Sequence, residues 1–317
     1  MRTRRKILPL FASAAERKVR VDLLWGLNHD PEDEQGRTVV ANVRSVLEKM
    51  TADVKRLVQL SPLSSGSHAK FILYDGEHNE WTTVLGSCNF LQSAFVSLDV
   101  SVRSRSRRFA RQLLSRTIST QIPASGGWSS VARRLNADWD RLHQGLREDE
   151  QGTHRLMLLV DQDHYACVRR ARDRSQRSII IGCDLFGLAA ETSVVVPMER
   201  AAELGRSVRL LYQRPTKLLR DTGRPPDADA LRKRGISLEK CPGLHGKFLL
   251  WDEEHLAITS FNWLSTVADG TRVRGAEIGV LIEGPSLAQD LTRQMKLASK
   301  GKVDLSEGSA IQEKLNL

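Results

Sequence analysis

Two apolar quartets of the same shape stand out along this chain. Phe71-Ile72-Leu73-Tyr74 and Phe248-Leu249-Leu250-Trp251 are each followed at once by an aspartate and a turn, Asp75-Gly76 and Asp252-Glu253. An unbroken apolar run of that length reads as a strand buried on both faces. Alternation with period two marks further strands at 155–160, 177–183 and 207–213. Helical periodicity marks helices near 163–174, 196–204 and 226–234, with tail helices near 129–146 and 285–299. Strands interleaved with helices predict an α/β fold with mixed sheets flanked by helices.

The quartets belong to a repeat. Ser67-His68-Ala69-Lys70 aligns with Leu244-His245-Gly246-Lys247 at an offset of 245 − 68 = 177. Leu85-Gly86-Ser87-Cys88-Asn89-Phe90 then aligns with Ile258-Thr259-Ser260-Phe261-Asn262-Trp263 at 262 − 89 = 173, so the first copy has a hairpin turn four residues longer. Upstream, Arg17–Leu24 resembles Arg206–Tyr212. The expected division is a first module at 1–146, a linker at 147–154, a second module at 155–300 and a polar tail at 301–317. Nothing in the first copy answers to strand 155–160, its helix and strand 177–183. The first module is therefore expected to be shortened, with a protein partner or an upstream segment as the way to complete it.

Charge narrows the partners. Formal net charge is +10 with a pI near 9.7, which favours anionic partners such as nucleic acid or acidic lipid head groups. The excess is arginine-rich: Arg103, Arg105, Arg107, Arg108, Arg111 and Arg116 form one cluster, and Arg169, Arg170, Arg172, Arg174 and Arg177 another. Phosphate binding and a solvated helix face are both open readings of such clusters. No window approaches the ~18 apolar residues that span a bilayer. Cys88, Cys167, Cys183 and Cys241 form no Cys-x-x-Cys pair, so reduced thiols are expected rather than a disulfide framework or a zinc site. Basic Met1–Lys6 and apolar Ile7–Phe11 imitate a secretory leader, but the run is short and holds Pro9; a cytoplasmic location is expected.

The repeated residues carry chemistry. On a strand, His-x-Lys puts an imidazole and an ammonium on one face while Ala69 or Gly246 turns away. A turn and a returning strand bring Ser87 and Asn89, or Ser260 and Asn262, onto one face. Two such hairpins supply two imidazoles, two ammoniums and two amides. One His can attack phosphorus, the other can protonate the leaving oxygen, and Lys and Asn can stabilise the non-bridging oxygens without a metal or other cofactor. Each His needs an acceptor to fix its tautomer. Asp99 and Glu277, just past Ser-x-Asn, are the candidates, Asp99 supporting the first copy and Glu277 the second.

His68/Lys70/Asp75 and His245/Lys247/Asp252, with Gly-Ser-x-Asn and an acidic residue downstream, resemble the phospholipase D superfamily over nearly the whole chain. The resemblance implies two pseudo-twofold modules with the active site between them and a phosphohistidine intermediate. It makes His68 the nucleophile, His245 the general acid, and Lys70, Lys247, Asn89 and Asn262 phosphate ligands, with Ser87 and Ser260 beside them. Asp75 and Asp252 would order strand and turn. Two departures stand out: Thr259 replaces the expected Gly, and Asp99 is one methylene shorter than the expected Glu. Cys88 should point into the core.

Bland readings cover other residues. His78, His143, His154, His164 and His255 read as surface histidines, and Trp25, Trp81, Trp128 and Trp139 as core or interface. Trp263, next to Asn262, reads as a cleft residue able to contact nucleic acid, together with Arg103, Arg105, Arg107 and Arg108. The expected function is a metal-independent phosphodiesterase, foremost a DNA endonuclease in restriction or defence. The alternatives are a phospholipase D or transphosphatidylase, and an inactive nucleic-acid-binding member.

Overall fold

The computed structural model describes residues 4–26, 34–76, 80–90, 97–122, 126–144, 152–223, 226–266 and 277–299. His78, most of the linker at 147–154 and the tail at 301–317 lie outside them. The N-terminal half runs α1 (Arg4–Glu16), β1 (Val21–Leu23), α2 (Glu34–Glu48), α3 (Ala52–Leu57), β2 (Val58–Leu60), β3 (Phe71–Asp75), β4 (Trp81–Gly86), β5 (Ser101–Ser104), α4 (Arg107–Thr120), α5 (Ser130–Gln144). The C-terminal half runs β6 (Arg155–Val160), α6 (Asp163–Arg174), β7 (Ser178–Phe186), α7 (Val196–Glu203), β8 (Ser207–Pro215), α8 (Lys217–Asp221), α9 (Ala228–Lys233), β9 (Ile236–Lys240), β10 (Phe248–Trp251), β11 (His255–Thr259), β12 (Ile278–Glu283), α10 (Leu287–Ser299).

The C-terminal half is built on one mixed sheet in the order β6-β12-β11-β10-β7-β8-β9. β7, β8 and β9 are parallel and the other pairings antiparallel. On one face Leu249 and Trp251 pack against Cys167, Val168 and Ala171 of α6 and Met198 and Ala201 of α7. On the other, Phe248, Leu250 and Val280 pack with Leu85, Val102 and Phe109 from the N-terminal half, so one core is shared by both halves. Every residue of the second apolar quartet is therefore buried, as its composition requires.

The N-terminal half departs from the single mixed sheet expected there. β1 and β2 form a parallel pair, and β3-β4-β5 a separate antiparallel sheet. In the C-terminal half, β7 is the strand that joins β10 to β8; among the described residues the first copy has no counterpart to it or to α6. The first quartet shows the consequence. Ile72 and Tyr74 are 43% and 41% exposed, whereas their counterparts Leu249 and Trp251 are 0% and 1% exposed. The register also shows the longer hairpin: Tyr74 pairs with Thr82, eight residues on, where Trp251 pairs with His255, four on.

A helix takes over the joining role. From α5, Arg134 bonds Asp22 of β1, and Asp138 bonds Arg20 just before it. Arg141 then reaches Asp138 at 2.7 Å and Asp75 at the end of β3 at 3.1 Å. Its apolar face packs Val131, Leu135 and Leu142 into a cluster with Trp81, Ala110 and Leu114. Asp138 is the hub, with a largely buried carboxylate between two arginines. Asp138→Ala is expected to destabilise the fold by about 1–2 kcal/mol, discounted for the half-exposed guanidiniums. Urea unfolding at low and high salt measures it, and the deficit should shrink at high salt.

Candidate active site

Both signature strands start at the same place. Lys70 and Lys247 immediately precede β3 and β10, and the partner strands β4 and β11 return to end at Gly86 and Thr259. Ser87 and Asn89, and Ser260 and Asn262, follow at those ends. The halves meet here through backbone: Leu98 bridges Leu244 in parallel, its N–H donates to the Gly243 carbonyl at 2.8 Å, and its carbonyl accepts from His245 at 3.0 Å and Gly246 at 2.7 Å. A Cβ on Gly246 would lie 2.7 Å from Val100 Cγ2, so this contact requires glycine.

The carboxylates serve the opposite histidines, which corrects the expectation of support within each copy. His245 Nδ1 bonds Asp99 Oδ1 at 2.7 Å, and His68 Nδ1 stands 3.4 Å from Glu277 Oε1. The shorter side chain of Asp99 costs nothing in reach, because the Leu98–Leu244 contact carries it to His245. Both histidines turn Nδ1 to a carboxylate and leave Nε2 for a ligand. Burial pushes the His68 imidazole below its usual pKa, Lys70 adding to the shift and Glu277 opposing it. Burial would raise both carboxyls. Hydrogen bonds from His245 and Ser87 hold Asp99 below the ordinary range, and those from His68 and Ser260 do the same for Glu277.

Lys70 and Lys247 are buried at 7% and 1% exposure. Each folds back onto its own histidine's carbonyl, Lys70 Nζ to His68 O at 2.6 Å and Lys247 Nζ to His245 O at 3.0 Å. Among the described residues neither ammonium has a carboxylate within 4.0 Å. Burial, and then the neighbouring Lys247 charge, bring the Lys70 pKa down to about 7. Two ammoniums held this way form a site for an anion.

Ser87 and Ser260 have a different task from the one expected. Both are wholly buried, and their hydroxyls donate to Asp99 at 2.7 Å and Glu277 at 2.5 Å, orienting the carboxylates rather than facing a phosphate. Asn89 and Asn262 are half-buried at the strand ends, with Asn262 Oδ1 accepting from Cys183 Sγ at 3.4 Å. Asp75 and Asp252 lie at the far ends of their strands, about 16 Å from the lysines at ~3.3 Å per residue. Asp252 accepts backbone N–H bonds from Gln176, Arg177 and Ser178, and Asp75 pairs with Arg141, contacts that order strand and turn. Cys88 is core, at 6% exposure.

Trp263 is a further correction. It is fully buried, edge-on to Phe261 and His164, and offers no face to a ligand. Arg103 bonds the Tyr74 hydroxyl and Arg107 the carbonyls of Arg141 and Leu142, while Arg105 and Arg108 are exposed. All four lie toward the end of β5 remote from Gly86, which pairs with Ser101, and so away from the histidines. Trp128 is 43% exposed rather than core. His164, read as a surface residue, is completely buried behind β11, and its spacing to Cys167, Val168 and Ala171 on the buried face of α6 is the signal that could have placed it there.

Thr259 is accommodated by an exchange of glycines. Gly86 of β4 faces Ser101 of β5, whereas Thr259 of β11 faces Gly279 of β12. A Cβ on Gly279 would meet Thr259 Cβ at 2.7 Å, so the small residue has changed strands and the spacing is kept. Among the described residues no group of three or more His, Cys, Asp or Glu is placed to hold a metal. No described helix is long and apolar enough to cross a membrane.

No family model matches the chain, and no curated protein matches it in sequence. Among solved structures it is similar to phosphatidylserine synthase of Haemophilus influenzae, with TM-score 0.59 and 12% identity over 92% of this chain and 77% of that one. Nuc of Salmonella typhimurium, a phospholipase D family member, aligns with 46% of this chain and 93% of its own at TM-score 0.34 and 15% identity. NucT of Helicobacter pylori aligns with 46% of this chain and 94% of its own at TM-score 0.32 and 12% identity.

Lys70 is protonated below about 7 and neutral above it, and an anion binds the protonated form. Tungstate affinity, measured calorimetrically, should therefore weaken as pH rises through that value, by up to about tenfold per unit. Lys70→Arg should flatten the dependence, because a guanidinium keeps its charge.

Proposed function

We propose that this chain, which has the phospholipase D fold, is a metal-independent phosphodiesterase working through a phosphohistidine. The observation that carries the reading is the pair of buried, carboxylate-free ammoniums between two carboxylate-held imidazoles. The lysines would bind the non-bridging oxygens of a phosphodiester, with Asn89 and Asn262 adding amide donors. His68 Nε2 attacks phosphorus and the bond to the leaving oxygen breaks. That oxygen takes the proton from His245 Nε2. Water then attacks the phosphohistidine, giving its proton back to His245 and freeing His68.

The division of roles rests on asymmetry. The lowered His68 pKa keeps its lone pair available at neutral pH, as a nucleophile requires. The 2.7 Å contact of His245 Nδ1 with Asp99 fixes that ring's orientation, as a proton donor to the leaving oxygen requires. Modules at 1–146 and 155–300, each giving one histidine, belong to the same proposal.

DNA is the substrate we favour, for the formal net charge of +10, which suits a polyanion. A second reading, transfer or hydrolysis of phospholipid head groups, is favoured by Leu188 and Leu218, 58% and 62% exposed just beyond β7 and β8. They lie near the Asn262 side of the site, since Gly187 bonds the Leu264 carbonyl at 2.8 Å and Thr216 the Phe186 carbonyl at 2.8 Å. The fold likeness to a phosphatidylserine synthase is compatible with either chemistry.

Purified protein in EDTA should nick plasmid DNA without releasing choline from phosphatidylcholine vesicles. Choline release without nicking would replace the DNA reading with the lipid one. His68→Ala and His245→Ala should each abolish turnover by about a thousandfold or more, and the double variant should be no worse than either, as for groups acting in one unit. DNA bound but never cut, with both variants equivalent to the parent protein, would make this a binding module.

A further inference from the structure

Glu277, just before β12, is held by a ring of bonds that has no counterpart around Asp99 among the described residues. Asp161 closes β6 in the left-handed region, φ 47°, which is unusual for a residue other than glycine. The twist lets it grip Glu277 twice. Its N–H donates to the Glu277 carbonyl at 3.1 Å, and its Oδ1 accepts from the Glu277 N–H at 3.2 Å. Its Oδ2 lies 3.9 Å from Arg116 Nη2 on α4 of the N-terminal half, the half that carries His68.

His164 locks this turn from behind. Its Nδ1 lies 2.8 Å from the Asp161 carbonyl, which can only accept, so Nδ1 carries the hydrogen. Burial keeps the ring neutral, and Nε2 then accepts from the Thr259 hydroxyl at 2.6 Å. Thr259 also accepts the Phe261 N–H at 3.0 Å and stands one residue before Ser260, which holds Glu277 Oε2 at 2.5 Å. The backbone and the carboxylate of Glu277 are thus fixed from two sides by one connected network. Asp99 depends instead on the Leu98–Leu244 contact between the halves.

We propose that Asp161, locked by His164 and Thr259, is a positioning residue that sets Glu277 against His68. It touches no substrate and acts only through Glu277. The inference rests on His68 being a reacting histidine, and it assigns the Thr259 hydroxyl a use: anchoring the histidine that holds the turn.

The test compares Asp161→Ala with Asp161→Asn, since asparagine keeps the Oδ1 acceptor and tolerates the left-handed region. Hydrolysis of bis(p-nitrophenyl) phosphate in EDTA gives kcat and KM, and imidazole NMR, assigned through His68→Gln, follows the His68 titration. Asp161→Ala should lower kcat on the order of 10- to 100-fold, as loss of an outer partner of a functional histidine does. KM should stay nearly constant and the His68 midpoint should move further down. Asp161→Asn should restore most of both. An Asp161→Ala protein that folds with parental kcat and an unmoved His68 midpoint overturns the proposal. If that variant does not fold, Thr259→Val, which removes the hydroxyl at similar volume, should shift the His68 midpoint in the same direction; an unmoved midpoint there also overturns it. The NMR comparison needs no turnover. A parent protein without hydrolysis would defeat the phosphodiesterase reading while the positioning test still reports.

Discussion

Each candidate histidine takes its carboxylate from the other half of the chain, His245 from Asp99 and His68 from Glu277. A carboxylate can tune an imidazole only at hydrogen-bonding range, so neither histidine is complete until the halves dock. The shared core of Phe248, Leu250 and Val280 with Leu85, Val102 and Phe109 supplies the docking energy, since burying such side chains stabilises each by about 1.5–3 kcal/mol. The Leu98–Leu244 backbone contact fixes its register to the residue next to each site. Site and interface are one structure, and a change loosening the interface would reach both histidines.

The same docking makes the site costly to maintain empty. It brings two lysines out of water and near each other, and burial together with the neighbouring Lys247 charge pushes the Lys70 pKa down to about 7. The wholly buried Ser87 and Ser260 hydroxyls and the half-buried carboxylates are satisfied within the protein, whereas among the described residues each ammonium bonds a backbone carbonyl and has no carboxylate within 4.0 Å. The unbalanced charge is therefore concentrated where an anion would enter. The rest of the positive excess is more dispersed than the sequence suggests, because Arg170 bonds Glu283, Arg177 pairs with Glu253 and Arg107 caps carbonyls of α5.

Divergence between the copies has been absorbed by local substitution. The threonine at 259 is matched by glycine at 279, so the strand spacing of the first copy's Gly86–Ser101 pair is kept with the small residue on the other strand. The first copy has no described equivalent of β7, and α5 joins its two sheets through Asp138, Arg134 and Arg141. Ion pairs replace ladder hydrogen bonds there, which leaves Ile72 and Tyr74 exposed while Leu249 and Trp251 stay buried.

The repeat, most strands and helices of the C-terminal half other than β9 and α8, and the His, Lys, Asn and carboxylate residues of the candidate site were legible in the amino-acid sequence. Those features are local: side-chain period and spacing along one strand decide which residues share a face. The tertiary structure alone decided which carboxylate serves which histidine, that the serines orient carboxylates, that His164 lies inside and that Trp263 is closed to solvent. It also separated the N-terminal sheet into two and moved Arg103 to Arg108 away from the site. Each of these depends on contacts between residues far apart in the chain, such as the 146-residue span from Asp99 to His245. No periodicity within a segment encodes its partner in another, so the chemistry was legible and its crossed wiring was not.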